Sequence, residues 1–284
     1  MLSKNLIISF VGDMSRFWRR YKKNRGGVVG LLFLAFVVIL AIAAPAISTY
    51  DPTKTGVGGI FAEPSSTHLL GTDHLGRDIY SRLLVGARVA LLVSFLAAGI
   101  SAVIGSVVGA IGGYFGGIVD HLLSKVTEIF QVIPMFFLAL LLLTIFGGSQ
   151  WIVISTIGVL GWPSIARVTR GEFIREREKE YVQAAFALGA SNLDIALFEI
   201  FLNVLPPIII STCFVMSSAM LTEAALSFLG ISDPSIPSWG RMIGDARLFL
   251  FRDVWWVLLP PALMLCITTI GINLIGDALN RIIR

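Results

Sequence analysis

The sequence predicts an all-α fold, a polytopic membrane bundle of six transmembrane helices, and three observations predict it. Of 284 residues, 56% are hydrophobic and 14% charged, too few polar side chains to cover a soluble domain of this size. Mean hydropathy is +0.84, and the apolar residues fall in blocks near the roughly 20 residues that cross a bilayer core of about 30 Å. Lys and Arg flank those blocks, so the pI of about 9.3 reflects membrane topology and not nucleic-acid binding.

The spans are read at 28–47, 83–111, 128–146, 151–167, 204–226 and 255–275. Before the first, residues 1–27 set Phe10, Phe17, Trp18 and Tyr21 among Arg16, Arg19, Arg20, Lys22, Lys23 and Arg25. An interfacial helix on the inner leaflet suits that composition; a basic tail without fixed structure is the other reading. The first span ends in Ala41-Ile-Ala-Ala-Pro45, which resembles a leader cleavage site, but its 20 apolar residues exceed a typical leader core. It is read as a retained span.

The second span carries Ser101, Gly105, Gly109, Gly113 and Gly117 at intervals of four, a face on which another backbone can approach closely. Its last members, from Gly112 on, suit equally a turn leaving the membrane. Arg88 and Glu223 are the charges expected near the outer ends of the second and fifth spans, either paired or separately snorkelling. The fourth span is short, and Pro163 interrupts it. Cys213 and Cys266 sit in apolar runs as core thiols.

With the N-terminus inside, inner segments hold 15 Lys and Arg and outer segments 7. The positive-inside rule then places both termini in the cytoplasm, with outer loops at 48–82 and 230–254 and a cytoplasmic region at 168–203. Both outer loops are rich in Pro, Gly, Asp and Ser, the chemistry of ordered turns.

The cytoplasmic region holds the densest charge, from Arg175 to Glu180. Strong helix formers over 176–188 predict a helix with one mildly apolar face of Tyr181, Ala184, Ala185 and Leu188. Gly189 suits a helix C-terminal cap. Ser191-Asn-Leu-Asp194 approximates a capping box opening a second helix to Val204, with Pro206-Pro207 at its junction with the fifth span. The residues alone describe a helix, a glycine turn and a helix.

Gln183-Ala184-Ala185-Phe-Ala-Leu-Gly189 followed by Leu205-Pro206 resembles the EAA motif of ABC importer permeases, E-A-A-x-x-x-G with a downstream Leu-Pro. The outer segment His68-Leu-Leu-Gly-Thr-Asp-His-Leu-Gly-Arg-Asp-Ile-Tyr-Ser-Arg82 resembles the signature of the C-type subunit of dipeptide/oligopeptide (and nickel) permeases. So do Thr222-Glu-Ala-Ala-Leu-Ser-Phe-Leu-Gly230, Pro237-Ser-Trp-Gly240, Asn273-Leu-Ile-Gly-Asp-Ala-Leu279 and Arg16-Phe-Trp-Arg-Arg20. The chain departs from the motif at Gln183, where the family has Glu, at Phe186, where a basic residue is common, and at Leu202, where Pro is common.

The resemblance implies type I ABC importer architecture, with Glu180, Tyr181, Gln183, Ala184, Ala185, Leu188, Gly189, Ala190, Ser191 and Asp194 docking a cytoplasmic ATPase. Gly71, Thr72, Asp73, Leu75, Gly76, Arg77, Asp78, Ser81 and Arg82 are the matching outer-loop signature. The implied partners are a second homologous permease, two ABC ATPase subunits or domains, an extracytoplasmic solute-binding protein and the lipid bilayer of the cell membrane. No cofactor is expected on this chain. It has no G-x-x-x-x-G-K-[ST] loop, so ATP and Mg belong to the ATPase subunits. Peptides are the implied substrate; relatives carry nickel chelates, glutathione or oligosaccharides. His68 and His74 flank Asp73 but share a single loop with no further ligand, and no metal site is expected there. A secondary transporter would need a chain of intramembrane charges, and an intramembrane enzyme convergent catalytic residues; the sequence displays neither.

Overall fold

The computed structural model describes residues 18–283. Arg16, Phe17, Phe10 and the rest of 1–17, with Arg284, lie outside the described residues, so the interfacial helix proposed for 1–27 is described only from Trp18 on. Residues 18–23 are helical, and the Tyr21 hydroxyl donates to the Gly27 carbonyl at 2.9 Å. Asn24 then caps α1 (Arg25–Ile47) by accepting from the Gly27 N–H, a side-chain oxygen meeting a donor the helix start leaves orphaned.

After a long loop the chain enters α2 (Ile79–Phe115), capped by Asp78, whose carboxylate accepts from the Ser81 N–H. The chain turns at Gly116 and Gly117, both at positive φ, so the late glycines serve both as helix and as turn. Next come α3 (Gly117–Val132) and α4 (Met135–Phe146), bent by 81° at the break between them. One span was expected at 128–146. Pro134 has no N–H and disfavours a helical residue before it, and Ile133 is accordingly extended.

Two further expectations are corrected. The fourth span is neither short nor interrupted: α5 runs Gln150–Arg177 through Pro163. Trp162 and Ile165, either side of Pro163, are buried, and packing holds the turn that the proline weakens. Nor do Pro206-Pro207 mark a junction. After a short helix α6 (Glu180–Ala187), α7 runs unbroken over Asn192–Phe228. A π turn at Ile195–Ile200 widens it just ahead of the prolines, and Asn203 Nδ2 donates to the Glu199 carbonyl at 2.7 Å. The chain ends with α8 (Trp239–Ala246), a 3-10 turn at Arg247–Arg252 and α9 (Trp255–Ile283), which contains Pro260 and Pro261.

Five helices, α1, α2, α5, α7 and α9, are each long and apolar enough to cross a membrane, and the bent α3–α4 pair makes up to six. The bundle has an Asp73 end and, opposite it, a Glu180 end. Central α2 packs against α5, α7 and α1, while α9 packs on α1 and α7. The glycine series of α2 meets α5. A Cβ on Gly105, Gly109 or Gly113 would sit 2.7, 2.4 or 2.7 Å from the carbonyls of Trp162, Ala166 and Arg170. Ser101 donates to the Gly158 carbonyl at 2.7 Å in the same row. Backbone touches backbone along this parallel crossing because no side chain separates them.

Candidate coupling site and the Asp73 loop

Helix α6 is anchored on one face and bare on the other. Val182 is 0% exposed and joins Tyr114 of α2, Ile165 and Phe173 of α5 and Ile195, Ile200, Val204 and Ile208 of α7 in one apolar cluster. Tyr181 and Ala185 pack against the same cluster. Gln183, Ala184, Phe186 and Ala187 are exposed, and Leu188 is 88% exposed. The expected common face of Tyr181, Ala184, Ala185 and Leu188 is therefore split. Tyr181 and Ala185 turn inward beside Val182, which the sequence reading passed over, while Ala184 and Leu188 turn outward. The signal was present: Val182 is the β-branched apolar residue of the segment, three before Ala185.

Polar contacts fix the angle at which α6 leaves α5. The buried Glu176 carboxylate accepts from Lys179 Nζ at 2.7 Å and from the Tyr181 hydroxyl at 2.9 Å. Tyr181 also accepts from Asn203 Nδ2 at 3.3 Å, so one phenol touches the ends of α5 and α7. Burial first, then its bond to Glu176, raises the Tyr181 pKa above the ordinary phenol value. Arg177 Nη1 donates to the Tyr114 carbonyl at 2.7 Å, and the Tyr114 hydroxyl to Asn192 Oδ1 at 3.0 Å. The end of α2 is thereby tied to α5 and α7.

The turn is a Schellman cap. Gly189 has φ +83°, its N–H donates to Phe186, and the Ala190 N–H reaches Ala185, at 3.0 and 3.1 Å. Ser191 Oγ accepts from the Asp194 N–H at 3.2 Å and donates to Asp194 Oδ2 at 2.6 Å, so the carboxylate meets the hydroxyl and not the backbone donor of a capping box. Glu180, at the start of α6, and Ala190, Ser191 and Asp194 are all exposed.

At the other end, the signature residues of the Asp73 loop hold one another. Asp73 is buried, accepting from the N–H groups of Leu75 and Arg77 at 2.9 and 3.0 Å and from Arg77 Nε at 2.6 Å. Arg77 reaches Asp245 of α8 at 3.0 Å, and Arg82 lies 3.7 Å from Asp73 and 3.9 Å from Asp245. Asp78 accepts from Ser81 N–H and Oγ, both at 2.8 Å. Thr72 donates to the Gly59 carbonyl. Gly71 and Gly76 take positive φ where a Cβ would strike the Ala62 and Gly58 carbonyls. Leu75 is exposed. The loop is thus a hydrogen-bonded polar plate fastened to α8 by Arg77 and Asp245, with its charges paired and little exposed.

His68 and His74 do not converge. His68 Nδ1 faces Asp78 at 3.0 Å, and His74 stacks on Phe249 at 5.3 Å. The structure also separates Arg88 from Glu223. Glu223 is buried and accepts from Ser227 at 2.6 Å, whereas Arg88 is exposed, and no ion pair joins them among the described residues. A short polar side chain one turn along α7 is nearer than any cation on α2.

Long apolar helices around a tight α2–α5 crossing, with an exposed helix–turn–helix at one end, define a multi-pass membrane protein. The chain belongs to the family of binding-protein-dependent transport system inner membrane components, whose model matches residues 81–284. The N-terminal transmembrane domain of oligopeptide transport permease C matches residues 14–64. The chain is 39% identical to the dipeptide transport system permease protein DppC of Escherichia coli K12, over 98% of this chain and 96% of the relative. It is 33% identical to the oligopeptide transport system permease protein OppC of Bacillus subtilis 168, over 92% and 86%. The fold is that of an ABC importer permease: an inward-facing structure of the MetNI methionine ABC transporter matches with a TM-score of 0.56 at 21% identity, covering 72% of this chain and 95% of that one.

Proposed function

We propose that this chain is one of two homologous permease subunits of an ATP-driven importer of di- and oligopeptides, moved by cytoplasmic ATPases through α6. The observation that carries the coupling role is the two-faced α6, with Val182 fully buried among α2, α5 and α7 and Leu188 88% exposed. A force on Leu188, Ala184 and Gly189 passes to three spanning helices without first unfolding anything, because close-packed apolar contacts deform little. Gln183 is exposed beside them and offers the ATPase a neutral hydrogen-bonding group where the family motif has a charge.

In this reading the Glu180 end and both termini face the cytoplasm, where Arg167, Arg170, Arg175 and Arg177 obey the positive-inside rule. The plate of Asp73, Arg77, Arg82 and Asp245 faces outward, toward a solute-binding protein. ATP and Mg bind the ATPase subunits, and this chain carries out no hydrolysis. Nucleotide binding closes the ATPases and biases the bundle between inward- and outward-facing packings, the ordinary logic of alternating access. Peptide as substrate is supported by relatives named for dipeptide and oligopeptide transport.

The test is uptake by proteoliposomes containing both permeases, the ATPases and the binding protein. Peptide uptake should require ATP and stop with catalytically dead ATPases. Uptake that persists with the dead ATPases overturns the reading.

A further inference from the structure

Two large hollows open on the sides of the bundle, and their linings differ in kind. The groove between α2 and α7, of about 520 Å³, is walled by side chains such as Val103, Val107, Leu197 and Phe201, a surface suited to acyl chains. The hollow between α4, α5 and α7, of about 430 Å³, is walled instead by Gly161, Ser164 and Arg167 from α5 and by Ser211 and Ser218 from α7, among apolar neighbours. Ser164 and Ser211 bond back to the Gly161 and Pro207 carbonyls of their own helices at 3.2 and 2.9 Å. The Ser218 hydroxyl at mid-depth is exposed and, among the described residues, without such a bond, and an unpaired hydroxyl there marks water or a polar solute.

The polar groups are ordered by depth. Helices α5 and α7 run in opposite directions, and Arg167 and Ser211 each lie 17 residues from the Asp73 ends of their helices, Gln150 and Phe228. At about 1.5 Å per residue both sit about 25 Å down, near the Glu180 side of the bilayer. Gly161 and Ser218, 11 and 10 residues in, make a higher row near mid-bilayer, with Ser164 between. Toward the Asp73 end the wall includes Ile157 and Ala219, both buried. Met135, Val168, Phe214 and Val215 complete the wall, so the polar side chains form a broken track among apolar ones, with Arg167 and Ser211 nearest the Glu180 end. Arg167 is exposed and, among the described residues, has no hydrogen-bond or ion-pair partner. The one acid lining the adjoining cavity, Glu128, is held by Lys125 at 2.8 Å.

We propose that the α4–α5–α7 hollow is this chain's half of the translocation pathway, and that Arg167 receives the substrate's carboxylate as it passes toward the cytoplasmic mouth. This rests on the peptide-importer reading above. A peptide carries a carboxylate at its C-terminus, and a planar guanidinium pairs with it through two parallel N–H donors. Ser218 supplies a free hydroxyl, and Ser164 and Ser211, whose protons go to their own helix carbonyls, offer oxygen acceptors to an extended backbone without binding it tightly at any one depth.

The test uses the complete importer in proteoliposomes, with Cys213 and Cys266 replaced by Ala and single cysteines placed at 164, 218 and, as a control in the apolar groove, 197. A water-soluble maleimide should modify 164 and 218, dialanine should slow both, and 197 should not respond to dialanine. In parallel, R167Q should lower dialanine uptake about tenfold, the loss of one charge-assisted contact, while R167K retains most of it. R167E should shift the uptake ratio of Ala-Glu to Ala-Lys toward Ala-Lys, which a purely structural arginine would leave unchanged. If positions 164 and 218 resist the maleimide, the hollow holds lipid and the proposal is overturned. An unchanged charge preference in R167E overturns the role of Arg167. If the wild-type importer takes up no peptide while 164 and 218 still respond to nucleotide, the substrate reading and the carboxylate role fall and the pathway assignment stands.

Discussion

The Tyr181 hydroxyl donates to the buried Glu176 carboxylate at 2.9 Å, joining the end of α5 to the exposed helix that follows it. A hydrogen bond to a buried charge contributes about 1.5–3 kcal/mol. Tyr181→Phe should therefore loosen α6 from the bundle while leaving the spans in place. Backbone amides of 182–187 should exchange with solvent at least about tenfold faster, measured by mass spectrometry on the purified importer. Unchanged exchange there would show that Val182 alone holds the helix.

The same pair sets an alkaline limit. Burial and the bond to Glu176 raise the Tyr181 pKa, so the folded state favours the protonated phenol. Its stabilisation is complete below the unfolded value of about 10 and is lost as pH rises through the raised folded value. Phenolate absorbance should show a late-titrating component, and Tyr181→Phe should reduce it by one tyrosine.

Gly189 tests the cap without testing packing. Its φ is +83°, yet an added Cβ would meet nothing within 4 Å. The cost of substitution is therefore backbone strain alone, about 1–2 kcal/mol for a left-handed residue. Gly189→Ala should reduce ATP-driven uptake modestly, and Gly189→Val should uncouple ATPase activity from uptake or block assembly, with membrane insertion normal. Full uptake by Gly189→Val contradicts the docking role.

Two glycines of α2 should respond oppositely to alanine. At Gly99 the added Cβ meets open space, whereas at Gly109 it lies 2.4 Å from the Ala166 carbonyl. Gly99→Ala should be neutral or stabilise by up to about 1 kcal/mol through helix propensity. Gly109→Ala must push α2 from α5 and should lower the thermal midpoint in detergent by several degrees, about 1–3 kcal/mol of overpacking.

Asp73→Ala should free the plate at the Asp73 end of the bundle. It leaves Arg77 and Arg82 facing each other across Asp245 with one buried acceptor gone, a loss of about 3–5 kcal/mol. Limited proteolysis of residues 49–82 in outside-accessible vesicles should become rapid, and a loop that stays resistant would show that Asp245 suffices.

Residue chemistry by itself determined the membrane class, the glycine face of α2 and the helix–glycine–helix that follows α5. Those features depend on local rules: hydropathy over about 20 residues, intervals of four on one helix, and glycine at a left-handed cap. Tertiary structure decided what the prolines do. Pro134 breaks its span by 81°, while Pro163, Pro206 and Pro207 lie within continuous helices, because neighbours buried around a proline either support the weakened turn or do not. It also decided which face of α6 is docked. Val182 is buried because residues of α2, α5 and α7, among them Tyr114, Phe173, Ile195 and Val204, cluster around it, and no pattern within the eight residues of α6 specifies those partners. The separation of Arg88 from Glu223 has the same cause, since pairing between helices depends on their rotation, which is set by packing along their whole length.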